Sequence, residues 1–145
     1  VLSCYMRRIV MVAAVHAGWR GTVLHIARKA ASLMIEDTIA IYQLVAGIGP
    51  SISQAAFEVG EEVVKAFQMA GFPMERILRR NAETQKAHID LWETNRLQLL
   101  EAGLLSGHIE IAGICTYIRY EDYFSARRLS VKSGRILTGI CLKKS

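Results

Sequence analysis

The sequence predicts an α/β (α+β) fold: one domain over residues 1–145, with a mixed β-sheet core flanked by at least three helices. Apolar, β-branched runs alternate along the chain with stretches whose apolar residues recur at helical spacing. Short segments with glycine or proline separate these runs, and neither an internal repeat nor a low-complexity linker interrupts them. Alternation of this kind favours helices packed on a sheet.

The first predicted elements are a strand, a turn and a helix. Residues 9–15 are apolar throughout, as expected of a buried strand, and Gly18 and Gly21 allow a sharp turn after it. The predicted helix has an apolar stripe formed by Val23, Ile26, Ala27, Ala30, Ala31 and Met34. We expect the opposite face to be exposed, with His25, Arg28, Lys29 and Ser32.

Two more helices and three more strands complete the predicted fold. One helix begins at a cluster of acidic residues, with Glu58 capping it rather than acting as a base, and stops at Gly71 and Pro73. The other begins at Asp90, which forms a capping box with Glu93. The predicted strands are residues 39–48, 109–114 and 136–142.

Composition limits the function classes. A chain of 145 residues with 52% hydrophobic content can bury a core of its own, and no 18-residue apolar run predicts a membrane span. The net charge of +5 suits an anionic ligand, yet the basic residues are spread along the chain and do not indicate nucleic acid. Three cysteines without CxxC spacing favour a reducing compartment, so we expect a cytoplasmic protein.

The main candidate site is the segment 16–21, His-Ala-Gly-Trp-Arg-Gly, because it places an imidazole and a guanidinium where a strand ends and a helix begins. His16 is competent to bind a metal; the alternative is a hydrogen-bonded structural role. Arg20 and the helix amides beside it are predicted to receive an anion. The alternative for Arg20 is that its head group bonds to nearby carbonyls and holds the turn.

A second candidate site lies near the C-terminus, where basic residues are densest. Arg127 closely follows Tyr123 and Phe124. Phe124 and Arg127 are therefore candidate substrate-binding residues, for an aromatic ring and for a phosphate or ribose. The alternative is that these are the ordinary charged residues of an edge strand and bind no substrate. Cys115, at a strand end, is expected to pack near the site rather than to act as a nucleophile.

Residues 12–21 resemble the signature of the YfiH family, also called the laccase-domain, polyphenol oxidase or peptidoglycan-editing-factor family. The resemblance covers nearly the whole chain but only the C-terminal part of the usual family domain. We therefore expect a domain that lacks its N-terminal segment. The other landmarks follow in order: Gly47-Ile-Gly-Pro-Ser-Ile52, Ala56-Phe-Glu-Val-Gly60, Ile89-Asp-Leu91, Cys115-Thr116, Phe124-Ser-Ala-Arg-Arg128 and Ser133-Gly-Arg135.

The resemblance implies a site for a single metal ion with two His and one Cys as ligands. The metal is usually taken to be zinc, and older descriptions of the family name copper. His16 matches one ligand, and the others, in Val-His-Gly and Asp-Cys-x-Pro segments, have no counterpart in this sequence. Cys4 is not expected to replace the thiolate. If residues 6–9 form a hairpin turn, Cys4 pairs with Met11, about 16 Å along the strand from His16. The other histidines, His25, His88 and His108, are not expected to be ligands.

What the resemblance implies for function is purine nucleoside chemistry: phosphorolysis of adenosine, inosine and methylthioadenosine, and deamination of adenosine. With ligands missing, we expect the chain by itself to bind zinc weakly and to turn over little nucleoside. Its expected partners are a purine nucleoside and phosphate, with no nucleic acid and no membrane.

Three alternatives to this function stay open. Editing of peptidoglycan precursors ranks second. Copper polyphenol (laccase) oxidation ranks third, because it needs several copper ions with many His ligands and the chain has four His. A non-enzymatic fragment that binds a partner is the last.

Overall fold

The computed structural model describes residues 2–6, 11–38, 44–130 and 133–142, and it confirms the predicted α/β class. Its elements fall into two compact units, formed by Val1–Gly49, Asn95–Ala112 and Thr138–Ser145 and by Pro50–Thr94 and Gly113–Leu137. The strands in the described ranges are β1 (Leu2–Met6), β2 (Ala13–Val15), β3 (Leu44–Ile48), β4 (Glu58–Val59), β5 (Leu78–Arg80), β6 (Ala87–Ile89) and β7 (Ile109–Ile111). The helices are α1 (Trp19–Val23), α2 (Ile26–Thr38), α3 (Glu61–Met69), α4 (Met74–Ile77), α5 (Leu91–Glu101) and α6 (Ala126–Leu129).

The first unit is built on a mixed sheet with the strand order β2-β1-β3-β7. Strand β1 pairs antiparallel with β2 and β3, whereas β3 and β7 run parallel. Leu44, Ala46 and Ile48 of β3 are buried and alternate with half-buried residues, so one face of the strand packs into the core. Strand β3 confirms the last part of the predicted strand 39–48; residues 39–43 lie outside the described ranges.

Strand β2 is shorter and more exposed than predicted. It comprises Ala13–Val15 alone among the described residues of the predicted strand 9–15, and Ala14 is exposed. Residues 9 and 10 lie outside the described ranges. Because β2 forms an edge of the described sheet, its apolar run is only partly enclosed.

The pairing of β1 with β2 corrects the predicted hairpin register. Cys4 pairs with Ala13, so the predicted partner, Met11, is wrong by two residues. A strand that begins only at Ala13 pairs with β1 two residues away from the register of a tight turn. Cys4 still lies three residues from the level of His16, or about 10 Å along the strand.

The helix predicted after the turn is two helices. Leu24 and His25 separate α1 from α2, and His25 has a φ of +57°, which residues other than glycine rarely adopt. The break takes His25 off the polar helix face, so it is half-buried and the predicted exposure is wrong. The predicted apolar stripe of α2 is buried at Ala27, Ala31 and Met34.

Helix α5 begins directly after Asp90, as predicted, but only half of the predicted capping box is formed, because the Asp90 N–H bonds to the Ile77 carbonyl at 2.8 Å. The Oδ1 atom of Asp90 accepts a hydrogen bond from the Glu93 backbone N–H at 2.9 Å. At the other end, Gly103 adopts a φ of +99°, and the Leu104 N–H bonds to the Leu99 carbonyl at 3.1 Å. These bonds satisfy backbone groups that a helix end leaves without partners.

The second unit contains the sheet β4-β6-β5, which the sequence did not predict. Each of its strands has only two or three residues, too few for a recognisable period. The predicted helix start at Glu58 is wrong, because Glu58 and Val59 form β4 and pair with His88 and Ala87 of β6. Helix α3 begins at Glu61 instead.

Two strand predictions in the last third of the chain need correction. The strand predicted over 109–114 ends at Ile111. Residues 136–142 form no regular structure, and Leu137 is 98% exposed. A stretch rich in apolar residues becomes a strand only where a partner supplies backbone hydrogen bonds, and within the described ranges these residues have no strand partner.

Candidate functional site

The turn between strand β2 and helix α1 carries His16 and Arg20, where the sequence predicts them. His16 follows the last residue of β2, and Arg20 is the second residue of α1. Both side chains are exposed. The Thr22 N–H bonds to the Gly18 carbonyl at 2.8 Å, so the first helical turn closes directly after the glycine. One short segment thus presents an imidazole and a guanidinium to solvent.

Gly18 lets the imidazole of His16 lie against the backbone. A Cβ atom at residue 18 would lie 3.0 Å from Nε2 of His16, closer than ordinary packing allows. The backbone of Gly18 has a φ of −68° and a ψ of 170°, which other residues adopt freely. Glycine therefore leaves room here for the imidazole, and the backbone angles do not require it for the sharp turn that the sequence suggested.

The guanidinium of Arg20 stacks on the ring of Trp19, 4.5 Å from its centroid. An exposed cation–π contact is worth about 0.5–1 kcal/mol. No hydrogen bond ties this guanidinium to a carbonyl within the described part of the chain, so the alternative role of holding the turn has no support there. Because α1 has only five residues, its amides add little, and the guanidinium is the main group that can bind an anion.

His16 does not complete a metal site with the residues around it. Zinc sites in proteins use at least three protein ligands. Among the described residues, no group of three His, Cys, Asp or Glu side chains could hold an ion. Cys4 stays out of reach in the observed register. The described chain therefore offers one imidazole to a metal and not the rest of the coordination sphere.

The other three histidines have different surroundings. His88 has its Nδ1 atom 3.1 Å from the carbonyl oxygen of Gln54. The Nδ1 atom of His108 is buried and has no hydrogen-bond partner among the described residues. His25 borders a surface depression of ≈ 610 Å³ together with Arg28, Lys29, Ser32 and Leu33. That none of these three histidines is a metal ligand stays a prediction.

Cys115 is buried, with 7% of its surface exposed, and its sulfur accepts two hydrogen bonds from Ser53. The donors are the Ser53 N–H at 3.3 Å and the Ser53 hydroxyl at 3.1 Å. Burial raises the pKa of the Cys115 thiol, but these bonds and the N–H groups of Ile118 and Tyr117 hold that pKa below its ordinary value. The buried position agrees with a packing role.

Phe124 and Arg127 lie in the second unit, each against its own neighbours. Phe124 is 54% exposed, and its ring lies so close to Gly134 that a Cβ atom there would come within 2.8 Å of it. Arg127 stacks over Phe57 at 5.2 Å and donates a hydrogen bond to the Glu58 carbonyl at 3.2 Å. Phe124 thus presents an open aromatic surface, and Arg127 a guanidinium held in place.

Glu58 is a poor candidate for a catalytic base. Its carboxylate accepts a hydrogen bond from Lys86 Nζ at 2.8 Å. This bond lowers the pKa of Glu58, and the charges of Lys86, His88 and Arg127 lower it further, against a smaller rise from burial. A carboxylate with a lowered pKa takes up protons poorly near neutral pH.

The sequence missed a buried polar cluster beside the turn. Thr22, Asn95 and Gln98 are 0%, 4% and 0% exposed. A signal existed, because Asn95 and Gln98 recur at helical spacing next to Leu97 and Leu99, both of which are buried. Polar residues on the core side of a helix indicate a hydrogen-bond network.

Comparison with known proteins finds relatives along nearly the whole chain. A profile of the family described as multi-copper polyphenol oxidoreductase laccase matches residues 2–143. A purine nucleoside phosphorylase of Bacteroides thetaiotaomicron is 57% identical over 134 residues, which are 92% of this chain and 50% of that protein. An adenosine deaminase from an unknown prokaryotic organism is 45% identical over 133 residues, which are 92% of this chain and 51% of that protein. The chain spans about half the length of these curated relatives.

The fold also matches a solved structure. The crystal structure of the hypothetical protein YfiH from Bacillus licheniformis superposes with a TM-score of 0.76 at 28% identity. The match covers 88% of this chain and 49% of that one. It confirms the YfiH resemblance that the sequence motifs indicated.

Proposed function

The chain belongs to the multi-copper polyphenol oxidoreductase laccase family, and we propose that its chemistry is that of purine nucleosides, chiefly their phosphorolysis. The names of its relatives support this proposal. At the level of structure, the observation that carries it is the exposed pair of His16 and Arg20 within one turn. We assign Arg20 to phosphate, and Phe124 and Arg127 to the nucleoside.

Phosphorolysis requires two binding tasks that these side chains suit. A phosphate oxygen forms a bond to C1′ of the ribose while the bond from C1′ to the purine nitrogen breaks, and the departing purine takes a proton. The Arg20 guanidinium offers paired N–H donors that match phosphate oxygens. The exposed ring of Phe124 offers a stacking surface for a purine, and base stacking on an aromatic side chain is worth about 1–3 kcal/mol. Arg127 supplies donors for the ribose.

We propose that His16 is one ligand of the metal, zinc rather than copper. Zinc with an open coordination position polarises a substrate or activates water. Because the described residues do not complete the coordination sphere, we expect the 145 residues alone to bind zinc weakly and to turn over nucleosides slowly.

Adenosine deamination is the second candidate, favoured by the relative of that name. In this reaction water adds at C6 of the purine and ammonia leaves, so no phosphate is consumed. Oxidation of phenols is less suited to the described residues, which hold no cluster of metal-binding side chains for several copper ions. Peptidoglycan editing has no observation in this structure that favours it.

We further propose a cytoplasmic location and small-molecule partners alone, a purine nucleoside and phosphate. Cys115 and Cys141 are both free thiols, which suits a reducing compartment. In the described part of the chain, no helix is long and apolar enough to cross a membrane.

Product analysis tests the proposed function. The chain is incubated with inosine or adenosine, with and without phosphate, and the products are separated by chromatography. The Bacteroides phosphorylase serves as the positive control. A second protein joins the chain to the half of that phosphorylase which it does not match, and its folding is checked by a cooperative thermal transition.

The joined protein is expected to release free purine only when phosphate is present. Loss of this activity on His16→Ala, with folding retained, supports the assignment of His16. Phosphate-independent conversion of adenosine to inosine favours deamination instead. A folded joined protein that converts neither nucleoside rejects the proposal.

A further inference from the structure

A buried hydrogen-bond network adjoins the turn that carries His16 and Arg20. Its members Asn95 and Gln98 lie three residues apart in α5, so they share one face of that helix. Together with Thr22 of α1 they are almost completely shielded from water. Buried polar groups persist only when they are paired, so their partners reveal what the network holds.

Asn95 reaches the turn through Thr22. The Nδ2 atom of Asn95 donates to the Thr22 hydroxyl at 3.2 Å, and this hydroxyl donates to the Ala17 carbonyl at 3.3 Å. A hydroxyl can accept and donate at once, which makes Thr22 a relay. Because the Ala17 carbonyl belongs to the peptide group between Ala17 and Gly18, the relay holds the backbone one residue after His16.

Gln98 spans the break between α1 and α2. Its Nε2 atom donates to the Thr22 carbonyl at 2.9 Å, and its Oε1 atom accepts the Arg28 N–H at 3.3 Å. The break leaves the Arg28 N–H without a helical partner, and Gln98 supplies one. The Thr22 carbonyl also accepts the His25 N–H at 3.0 Å, so Gln98 is its second donor. One side chain therefore links the end of α1 to the start of α2, next to the unfavourable φ of His25.

We propose that Asn95 and Gln98 are positioning residues that hold this turn in the one conformation that presents His16 and Arg20. The functional part of the inference rests on the proposed role of the turn in binding phosphate. A fully paired buried network specifies a single local structure. If the network positions the turn, its loss should disorder the turn more than it destabilises the whole unit. If the network adds only stability, the order of the turn should change in step with the stability of the unit.

The first test separates local order from overall stability. Thr22→Val removes the relay hydroxyl at nearly constant shape, Thr22→Ser keeps it, and Gln98→Met removes both amide functions. Ile89→Val, at a buried position of the second unit, is the control for a general loss of stability. Hydrogen exchange is measured at the amides of Thr22, His25 and Lys29, which bond to backbone carbonyls around the turn and the break. Global stability is measured by urea unfolding.

In Thr22→Val and Gln98→Met, protection at these amides should fall at least about tenfold more than the global unfolding equilibrium changes. Thr22→Ser should restore the protection, and Ile89→Val should lower it only in step with global stability. If the protection of these amides in Thr22→Val and Gln98→Met also falls only in step with global stability, the positioning role is wrong.

The second test uses inorganic phosphate. Phosphate is titrated into the chain while the Arg20 and Gly21 amide signals are followed by NMR. The apparent Kd should rise severalfold in Thr22→Val and Gln98→Met and recover in Thr22→Ser. A loosened turn that binds phosphate like the wild type overturns the positioning role. If the wild type shows no shift at Arg20, the proposed phosphate site fails, and hydrogen exchange still decides whether the network holds the turn.

Discussion

The imidazole of His16 rests on Gly18, so closely that a Cβ atom on the glycine would lie 3.0 Å from Nε2. The absence of a side chain two positions further along thus leaves room for the imidazole in this orientation. The glycine has a backbone conformation open to alanine, so a substitution there changes the ring rather than the chain path.

Gly18→Ala is therefore expected to move the His16 ring with little effect on folding. The free energy of unfolding should change by less than about 1 kcal/mol, because the backbone angles suit alanine. The His16 ring signals should shift in carbon–proton NMR spectra. Gly107→Ala is the control, since a Cβ atom there meets nothing within 4 Å. Unchanged ring signals in Gly18→Ala would contradict the contact.

His16→Ala tests the metal assignment on the chain itself. With one imidazole available, we expect no stoichiometric zinc at submicromolar free metal, and weak binding at higher concentration that His16→Ala removes. Isothermal titration with zinc measures both. His88→Ala is the control, because Nδ1 of His88 already contacts the Gln54 carbonyl. Stoichiometric zinc at submicromolar free metal shows that other residues complete a site.

Arg20→Ala should abolish phosphate binding and leave stability nearly unchanged. Among the described residues, the guanidinium contacts the ring of Trp19 at an exposed position, so its loss should cost no more than about 1 kcal/mol. Arg20→Lys keeps the charge without the forked donors and should bind phosphate more weakly than the wild type. Thermal melting and phosphate titration check these outcomes. A large fall in Tm with unchanged phosphate binding would show that Arg20 holds the turn.

Phe124→Ala should weaken nucleoside binding with little change in stability. More than half of the residue is exposed, so its ring has little role in the core. Loss of a stacked base should cost about 1–3 kcal/mol, or roughly 5-fold to 150-fold in the Kd for inosine. Leu137→Ala, at another exposed apolar side chain, should leave that Kd unchanged. Equal inosine binding in Phe124→Ala and the wild type would remove Phe124 from the site.

Local patterns predicted those parts of the fold that local chemistry determines. The cap at Asp90 and the apolar stripe of α2 depend on neighbours within four residues, and both are present. The placement of His16 and Arg20 follows from the glycine turn between an apolar run and a helix. These features need no knowledge of distant contacts.

Tertiary pairing decided the rest. The sequence predicts that Glu58 starts a helix, but pairing with β6 makes it part of a strand. Residues 136–142 are rich in apolar side chains, as many strands are, but they have no strand partner in the described ranges. The backbone on either side of the break at His25 bonds to Gln98, 70 or more positions away in the sequence, so no local window contains these contacts. Sequence patterns identified the turn, whereas the residues that contact it from α5 are identified only by the tertiary structure.

The contact between Ser53 and Cys115 predicts how stability depends on pH. The folded thiol has a lowered pKa, so between that pKa and the unfolded value of about 8.5 the unfolded state binds more protons. The free energy of unfolding should therefore increase as pH rises through this window. The added stability is complete above the unfolded pKa and is lost as pH falls through the folded pKa.

Ser53→Ala removes the hydroxyl donor at 3.1 Å, so it raises the thiol pKa and should reduce this gain in stability. Urea unfolding between about pH 7 and about pH 9.5 measures it, with Cys115→Ala as the reference that lacks the thiol altogether. If the wild type, Ser53→Ala and Cys115→Ala share one pH dependence, the hydrogen bond does not stabilise the thiolate.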